Sequence, residues 1–136
     1  MEEDFSPKLI ELKKLKSKGG VLSYIEEGNN LPFKVKRIYW VYDVNDDVKR
    51  GNHCHEFSHR VLICLTGEIK VEIVDLQGVK YTFELNSSNQ MVYVPPKHWL
   101  NTTFSSKTIL LAATSHLFEE DRSITDYDEF LSLAQM

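Results

Sequence analysis

The residue types best suited to chemistry crowd into one short stretch, Arg50-Gly51-Asn52-His53-Cys54-His55. It lies just ahead of the apolar run Val61-Leu62-Ile63-Cys64-Leu65. On an extended chain successive side chains alternate between faces, so His53 and His55 look into one shared space and Cys54 looks away. Such a pair has two common chemical readings: two ligands of a metal site, or two groups that move protons. Imidazole serves both, as a metal ligand and as an acid or base whose unperturbed pKa of ~6.5 lies close to neutrality. The bland reading is a pair of structural histidines in a core. Burying both on one face would need polar partners that a mostly apolar strand does not offer. Cys54 reads as core filling rather than as a nucleophile.

The rest of the chain must supply the scaffold. Downstream of Thr66-Gly67, Ile69, Val71 and Ile73 alternate with Glu68, Lys70 and Glu72, the period of a half-buried strand. A turn over 75–78 leads to Tyr81, Phe83 and Leu85 with the same period. After a turn at 86–89 come strand-like segments at 91–94, 99–104 and 108–114, the first running into Pro95-Pro96. Upstream, 33–44 is the longest β-like stretch. Phe33, Val35, Arg37, Tyr39, Val41 and Asp43 share one face; Lys34, Lys36, Ile38, Trp40, Tyr42 and Val44 share the other. Arg37 and Tyr39 among apolar neighbours predict a face lining a partly polar cavity. Residues 21–25 read as a strand, 28–30 as a turn, and 9–12 as a short apolar patch before lysine-rich sequence and Gly19-Gly20. About eight short strands joined by turns predict an antiparallel sandwich or barrel. Only 126–134 looks helical, with Phe130, Leu131 and Ala134 at helical spacing and Asp126 as N-cap.

At 136 residues, 42% hydrophobic and 26% charged, the chain is expected to form one soluble domain over 1–136. A net charge of −4 argues against nucleic acid as a partner. The cluster Lys13, Lys14, Lys16 and Lys18 reads as a solvated edge or turn. No signal peptide and no membrane-spanning stretch is evident, and Cys54 and Cys64 read as reduced thiols, so a cytoplasmic protein with no membrane partner is expected.

A His-x-His pair, a following carboxylate and a glycine, then a Pro-Pro turn with a final histidine, resemble the metal motifs of the cupins, small jelly-roll barrels. Here the carboxylate position is Arg60 and the final histidine position is Leu100. Two of four ligands are replaced, one by a cation, which should weaken metal binding severely. His59 or His98 would have to complete a shifted metal site. The expectation is an all-β, cupin-type jelly-roll barrel with a short C-terminal helix, and neither metal nor cofactor.

Four segments sharpen the resemblance. They are Lys36-Arg37-Ile38-Tyr39-Trp40-Val41-Tyr42-Asp43-Val44, Arg50-Gly51-x-His53-x-His55, Pro95-Pro96-x-x-Trp99 and Ile124-x-Asp126-Tyr127-Asp128-x-Phe130. In this order they resemble the nucleotide-sugar 3,4-ketoisomerases, the WxcM-like cupins that act on dTDP-4-keto-6-deoxyglucose. The family's His-Ala-His-Lys reads here His53-Cys54-His55-Glu56. A common glutamine is Arg60, and the usual Asp-Tyr is Arg122-Ser123. The resemblance implies a dTDP-linked 4-keto-6-deoxyhexose as substrate and transfer of the ketone from C4 to C3 through an enediol, within deoxyamino-sugar biosynthesis. It also implies a homodimer, with the 9–12 segment as an exchanged N-terminal strand.

The expected catalytic residues are His53 and His55, dividing the work of base and acid, with Tyr39 and Arg50 stabilising enediolate oxygens. Arg37 and Tyr42 are further candidates for that role. Arg60 is expected to meet the diphosphate or to pair with Glu68 or Glu72. Trp99 is expected to stack on thymine or sugar, core packing being its alternative. His98 is expected to be exposed, and His116 has no assigned role. A non-catalytic nucleotide-sugar-binding cupin is the reading from a different class, and a metal-dependent cupin enzyme is a third.

Overall fold

The computed structural model describes residues 5–135. Its strands, in chain order, are β1 (Lys8–Glu11), β2 (Leu15–Ser17), β3 (Gly20–Leu22), β4 (Arg37–Val41), β5 (Val48–His55) and β6 (Arg60–Thr66). They continue with β7 (Ile69–Val74), β8 (Lys80–Leu85), β9 (Gln90–Val94), β10 (Trp99–Phe104), β11 (Ile109–Thr114) and β12 (Ser123–Ile124), ahead of helix α1 (Tyr127–Ser132). One five-stranded sheet runs β1-β9-β6-β11-β4 and the other β12-β5-β10-β7-β8, every pair within them antiparallel; β2 and β3 form a separate hairpin. This is the jelly-roll barrel that the cupin resemblance implies, one form of the antiparallel sandwich or barrel that the alternation predicts.

The inner faces of the two sheets meet in a core of Leu62, Cys64, Ile69, Val71, Ile73, Leu85, Val92, Val94 and Phe104. The outer face of the first sheet is covered by the chain between β1 and β4, where Leu12, Leu31 and Phe33 pack on Val61, Ile63, Met91 and Tyr93. Apolar side chains therefore point both ways along β6, which reads in sequence as an unbroken apolar run. At one end of the barrel Cys54, Val74, Trp99 and Ile124 pack beneath Phe130 and Leu133.

The structure differs from expectation in three places. The 33–44 segment is regular only over Arg37–Val41, and the stretch from lysine 13 to Ile25 makes the β2–β3 hairpin rather than a turn and one strand. Helix α1 is a short one capped by Asp126, whose side chain accepts from the Asp128 and Glu129 amides as expected. Its buried residue is Phe130, and the other anchor is Leu133 just beyond, whereas Leu131 is exposed. Among the described residues no helix is long and apolar enough to cross a membrane.

Candidate active site

The site is built where β5 breaks its own alternation. Gly51 (φ +103°) and Asn52 (φ +54°) form a bulge against β10, where the register steps from Leu100↔His53 to Asn101↔Gly51. A Cβ on Gly51 would lie 2.6 Å from the Leu100 carbonyl oxygen, so only glycine fits there. The extra residue brings Arg50 onto the same cavity as His53 and His55. The two imidazoles stand with ring centroids 4.8 Å apart, edge to face at 65°. Cys54 between them is fully buried on the other side, and burial pushes its thiol up to about 12. It is core, as its place in the alternation predicts.

Four further strands complete the walls of a cavity of about 300 Å³. Arg37, Tyr39 and Val41 face in from β4, Arg60 and Leu62 from β6, Leu100, Thr102 and Phe104 from β10, and Leu110 from β11. The Arg37 guanidinium lies 5.0 Å from the Tyr39 ring centroid and 5.5 Å from that of Phe118, a cation held between two aromatic faces at the rim. Arg60 is deeper: it is 1% exposed, and its Nη1 donates to His53 Nε2 at 3.2 Å. No carboxylate among the described residues lies within ion-pair distance of it, which corrects the expected pairing with Glu68 or Glu72; Glu72 instead meets Lys80 at 3.6 Å.

Both imidazoles have defined tautomers. Guanidinium can only donate, so His53 Nε2 carries a lone pair and its proton sits on Nδ1, bonded to the Gly51 backbone. His55 Nδ1 donates to Asp121 Oδ2 at 2.5 Å, which leaves its Nε2 as the lone pair inside the cavity. Asp121 reaches this position because β12 pairs with the end of β5, Ser123 opposite His55. Its Oδ1 is fixed by the Phe57 and Arg122 amides at 3.2 and 2.9 Å. Burial would raise this carboxyl, but Ser58 and His55 beside it hold it down at about 2. Burial first, and then the Arg60 charge, lower both histidines, His55 to about 4, against the opposing pull of Asp121. At neutral pH the cavity therefore holds two uncharged bases beside a buried cation.

Of the sequence candidates, His53, His55, Tyr39, Arg50, Arg37 and Arg60 share this cavity. Tyr42 does not. It follows β4 on the face of Ile38 and Trp40, opposite Tyr39, and is 60% exposed. Trp99 does not either. Leu100 and Thr102 take the inward positions of β10, so Trp99 turns out beneath α1, 6% exposed, its ring 5.1 Å from Tyr127 and 5.6 Å from Phe130. His59 shares a 2.6 Å hydrogen bond with the Tyr93 hydroxyl, and His98, half-buried rather than exposed, donates to the Pro96 carbonyl at 2.8 Å. Neither lines the cavity. Among the described residues no three His, Cys, Asp or Glu side chains are grouped to hold a metal ion. Asp121 and Phe118 were not anticipated. The one signal for Asp121 is an acid two residues before the β12 strand, and nothing local says where that strand pairs.

The family model described as FdtA: WxcM-like, C-terminal, matches residues 5–135. The chain belongs to this family. A curated relative, TDP-4-oxo-6-deoxy-alpha-D-glucose-3,4-oxoisomerase of Aneurinibacillus thermoaerophilus, is 35% identical over 124 residues, 90% of this chain and 88% of its own. The crystal structure of QdtA, a sugar 3,4-ketoisomerase of Thermoanaerobacterium thermosaccharolyticum in complex with TDP, superposes with a TM-score of 0.86. Identity is 33%, covering 95% of this chain and 94% of that one. A histidine-to-asparagine variant of QdtA in complex with TDP-4-keto-6-deoxyglucose is similar at a TM-score of 0.87 and 31% identity, covering 98% and 96%. Two departures from the WxcM-like pattern meet each other in space: Arg122 Nη1 donates to Glu56 at 3.0 Å. Glu56 and Arg122 are thus an acid and a base that pair, and neither residue lines the cavity.

Proposed function

We propose that this chain is a TDP-4-keto-6-deoxyglucose 3,4-ketoisomerase, an isomerase of TDP-linked sugars in the cytoplasm, and that His53 and His55 carry its chemistry. The observation that supports the division of labour is the pair of tautomers. Moving the ketone from C4 to C3 removes hydrogen from C3 and O3 and returns hydrogen to C4 and O4, with no net change. His55, with Nδ1 held by Asp121, has Nε2 free to take the C3 proton, and the imidazolium so formed returns a proton to C4. His53 Nε2 has a second lone pair, taken by Arg60 Nη1 at 3.2 Å in the free chain, and it can carry the hydroxyl proton from O3 to O4 once that donor turns away. The pair thus acts less as one base and one acid than as a carrier for carbon-bound and a carrier for oxygen-bound hydrogen. Positioned proton transfer of this kind contributes roughly 10²- to 10⁴-fold.

Arg37 and Arg50, at the rim, are suited to the diphosphate, with Phe118 beside Arg37 as an aromatic face for the base. Tyr39 stands over the sugar with its hydroxyl available to a substrate oxygen. The homodimer implied by the family has an apolar surface to use: Ile38 and Trp40 on β4, which is an edge strand, and Tyr42 just beyond it are each more than half exposed. Here β1 pairs with β9 of its own chain, and an exchanged strand would make the same pairs with a second copy. Incubation of the purified protein with TDP-4-keto-6-deoxyglucose, followed by NMR, tests the activity. The 3-keto isomer should accumulate. An unchanged substrate that nevertheless binds would establish the non-catalytic reading instead.

A further inference from the structure

We infer that Arg122 is a positioning residue for the histidine pair: through ion pairs to Glu56 and Glu129 it holds Asp121 against His55. The inference rests on the ketoisomerase reading above and gives a role to Glu56 and Arg122, two residues at which this chain departs from the WxcM-like pattern.

Asp121 reaches His55 from a segment that has no apolar anchor of its own. The single 3₁₀ turn before it, Phe118–Glu120, buries no side chain, and Leu117 and Phe118 are exposed. After it, β12 adds only two ladder positions, Ser123 opposite His55 and Ile124 opposite Cys54, and Ile124 is the next buried apolar side chain. A stretch without apolar burial opens locally unless polar ties hold it. On the β4 side the tie is Lys36 Nζ to Glu120 at 3.3 Å. On the β5 side it is Arg122, the residue next to Asp121. Its amide donates to Asp121 Oδ1 at 2.9 Å, and its carbonyl accepts from the Glu56 amide at 2.9 Å. Its guanidinium donates to the carboxylate of Glu56 at 3.0 Å and to that of Glu129 in α1. One side chain thus joins the residue after His55 to helix α1, with the Asp121–Arg122 peptide at the join. The two pairs differ in kind. The Glu129 side chain is 43% exposed and its pair is screened by water, whereas that of Glu56 is 12% exposed and depends on the guanidinium as its partner. The effect falls on the tautomer of His55. Its proton stays on Nδ1 because Asp121 Oδ2 accepts it at 2.5 Å. With Asp121 loosened, the proton is free to move to Nε2, and the ring then offers C3 a donor instead of a lone pair. Arg122 does not line the cavity, so it acts on turnover and not on binding.

The test uses Arg122→Ala, Arg122→Lys and Glu56→Gln in the full chain. Arg122→Ala should lower kcat roughly 3- to 20-fold, the worth of two exposed or half-exposed ion pairs, with KM within about twofold. Arg122→Lys, whose single ammonium lacks the fork that serves two carboxylates, should fall between Arg122→Ala and the native protein. Glu56→Gln should reproduce most of the Arg122→Ala loss, and the double variant should lose no more than either, because both act through one tie. Lys80→Ala, which breaks the Glu72–Lys80 pair on the other side of the second sheet, should leave kcat native. The imidazole itself supplies the readout that a merely structural role would not move. In ¹⁵N NMR of the histidine rings, with His55 assigned by the loss of its signals in His55→Asn, the native ring should show protonated Nδ1 and bare Nε2. In Arg122→Ala the two nitrogens should move toward each other as the tautomers mix. A single native tautomer in Arg122→Ala with native kcat per folded molecule would overturn the inference. So would a raised KM at native kcat, which would put Arg122 on the substrate. Failure of the native protein to isomerise the substrate would sink the ketoisomerase reading, while the ring spectra, which need no substrate, would still decide whether Arg122 sets the tautomer.

Discussion

Two regions of this barrel lie one residue apart in sequence and follow opposite rules. On the inner side of β5 and β10, His53, His55, Leu100 and Thr102 face a cavity that holds two depressed imidazoles and a buried cation with no counter-ion among the described residues. On the outer side, Cys54 and Trp99, directly paired across the strands, are sealed with Ile124 and Phe130 beneath α1. The first region sacrifices polar satisfaction for chemistry; the second is close-packed and inert. The strand alternation alone allots each residue to one or the other, and the bulge at Gly51–Asn52 is the single place where the allotment is reset. Substitutions on the two sides should therefore separate activity from stability.

The largest separation is expected at the histidines. His55→Asn should lose roughly 10³- to 10⁴-fold in kcat with Tm within a few degrees of native, and His53→Asn should lose nearly as much. Steady-state kinetics beside thermal melts would check this; a large fall in Tm would merge the two regions. Across the sheet, Trp99→Ala should cost about 3–5 kcal/mol of stability while kcat per folded molecule stays native. Denaturant unfolding with activity assayed on the folded fraction measures it, and a selective rise in KM would return Trp99 to the substrate. Asp121→Asn removes the group that orients His55 and should lower kcat roughly 10²-fold, the lower end of what positioned acid–base catalysis contributes.

Much of this comparison was legible in the sequence. Period-two alternation assigned His53 and His55 to one face and Cys54 to the other, and it put Arg37 and Tyr39 opposite Trp40. The β strands from Ile69 onward fell close to where the pattern placed them, because each has one buried and one wetter face. The hairpin of β2 and β3 escaped because its residues are all exposed and carry no such contrast. Trp99 and Tyr42 were misread as ligand contacts on residue type and neighbouring motif, against the alternation that does assign their faces. Asp121 was invisible for a different reason: it reaches His55 through a pairing of β12 with β5 across more than sixty residues, and register between distant strands leaves no local trace.

Smaller effects sharpen the same boundary. With His55 held at about 4 and His53 also lowered, His55 stays neutral well below the usual histidine range and His53 stays neutral further down than a free imidazole. The kcat/KM profile should stay flat from pH 8 to about 6 and decline only toward pH 4–5; an acid limb centred near ~6.5 would mean unperturbed rings. The sign for stability follows from the same depression. The unfolded chain takes up protons first as pH falls through ~6.5, so stability declines there and rates must be normalised to folded protein. Tyr42→Ala, outside the cavity, should leave KM within about twofold of native.

The central claim is that hydrogen passes between neighbouring sugar carbons by way of these two rings. Incubation with TDP-4-keto-6-deoxyglucose in deuterated water, read by NMR at C3 and C4, tests it most directly. The native protein should wash deuterium into those positions, and the His53→Asn/His55→Asn double variant should bind TDP and wash in none. Native-level exchange in the double variant would contradict the account.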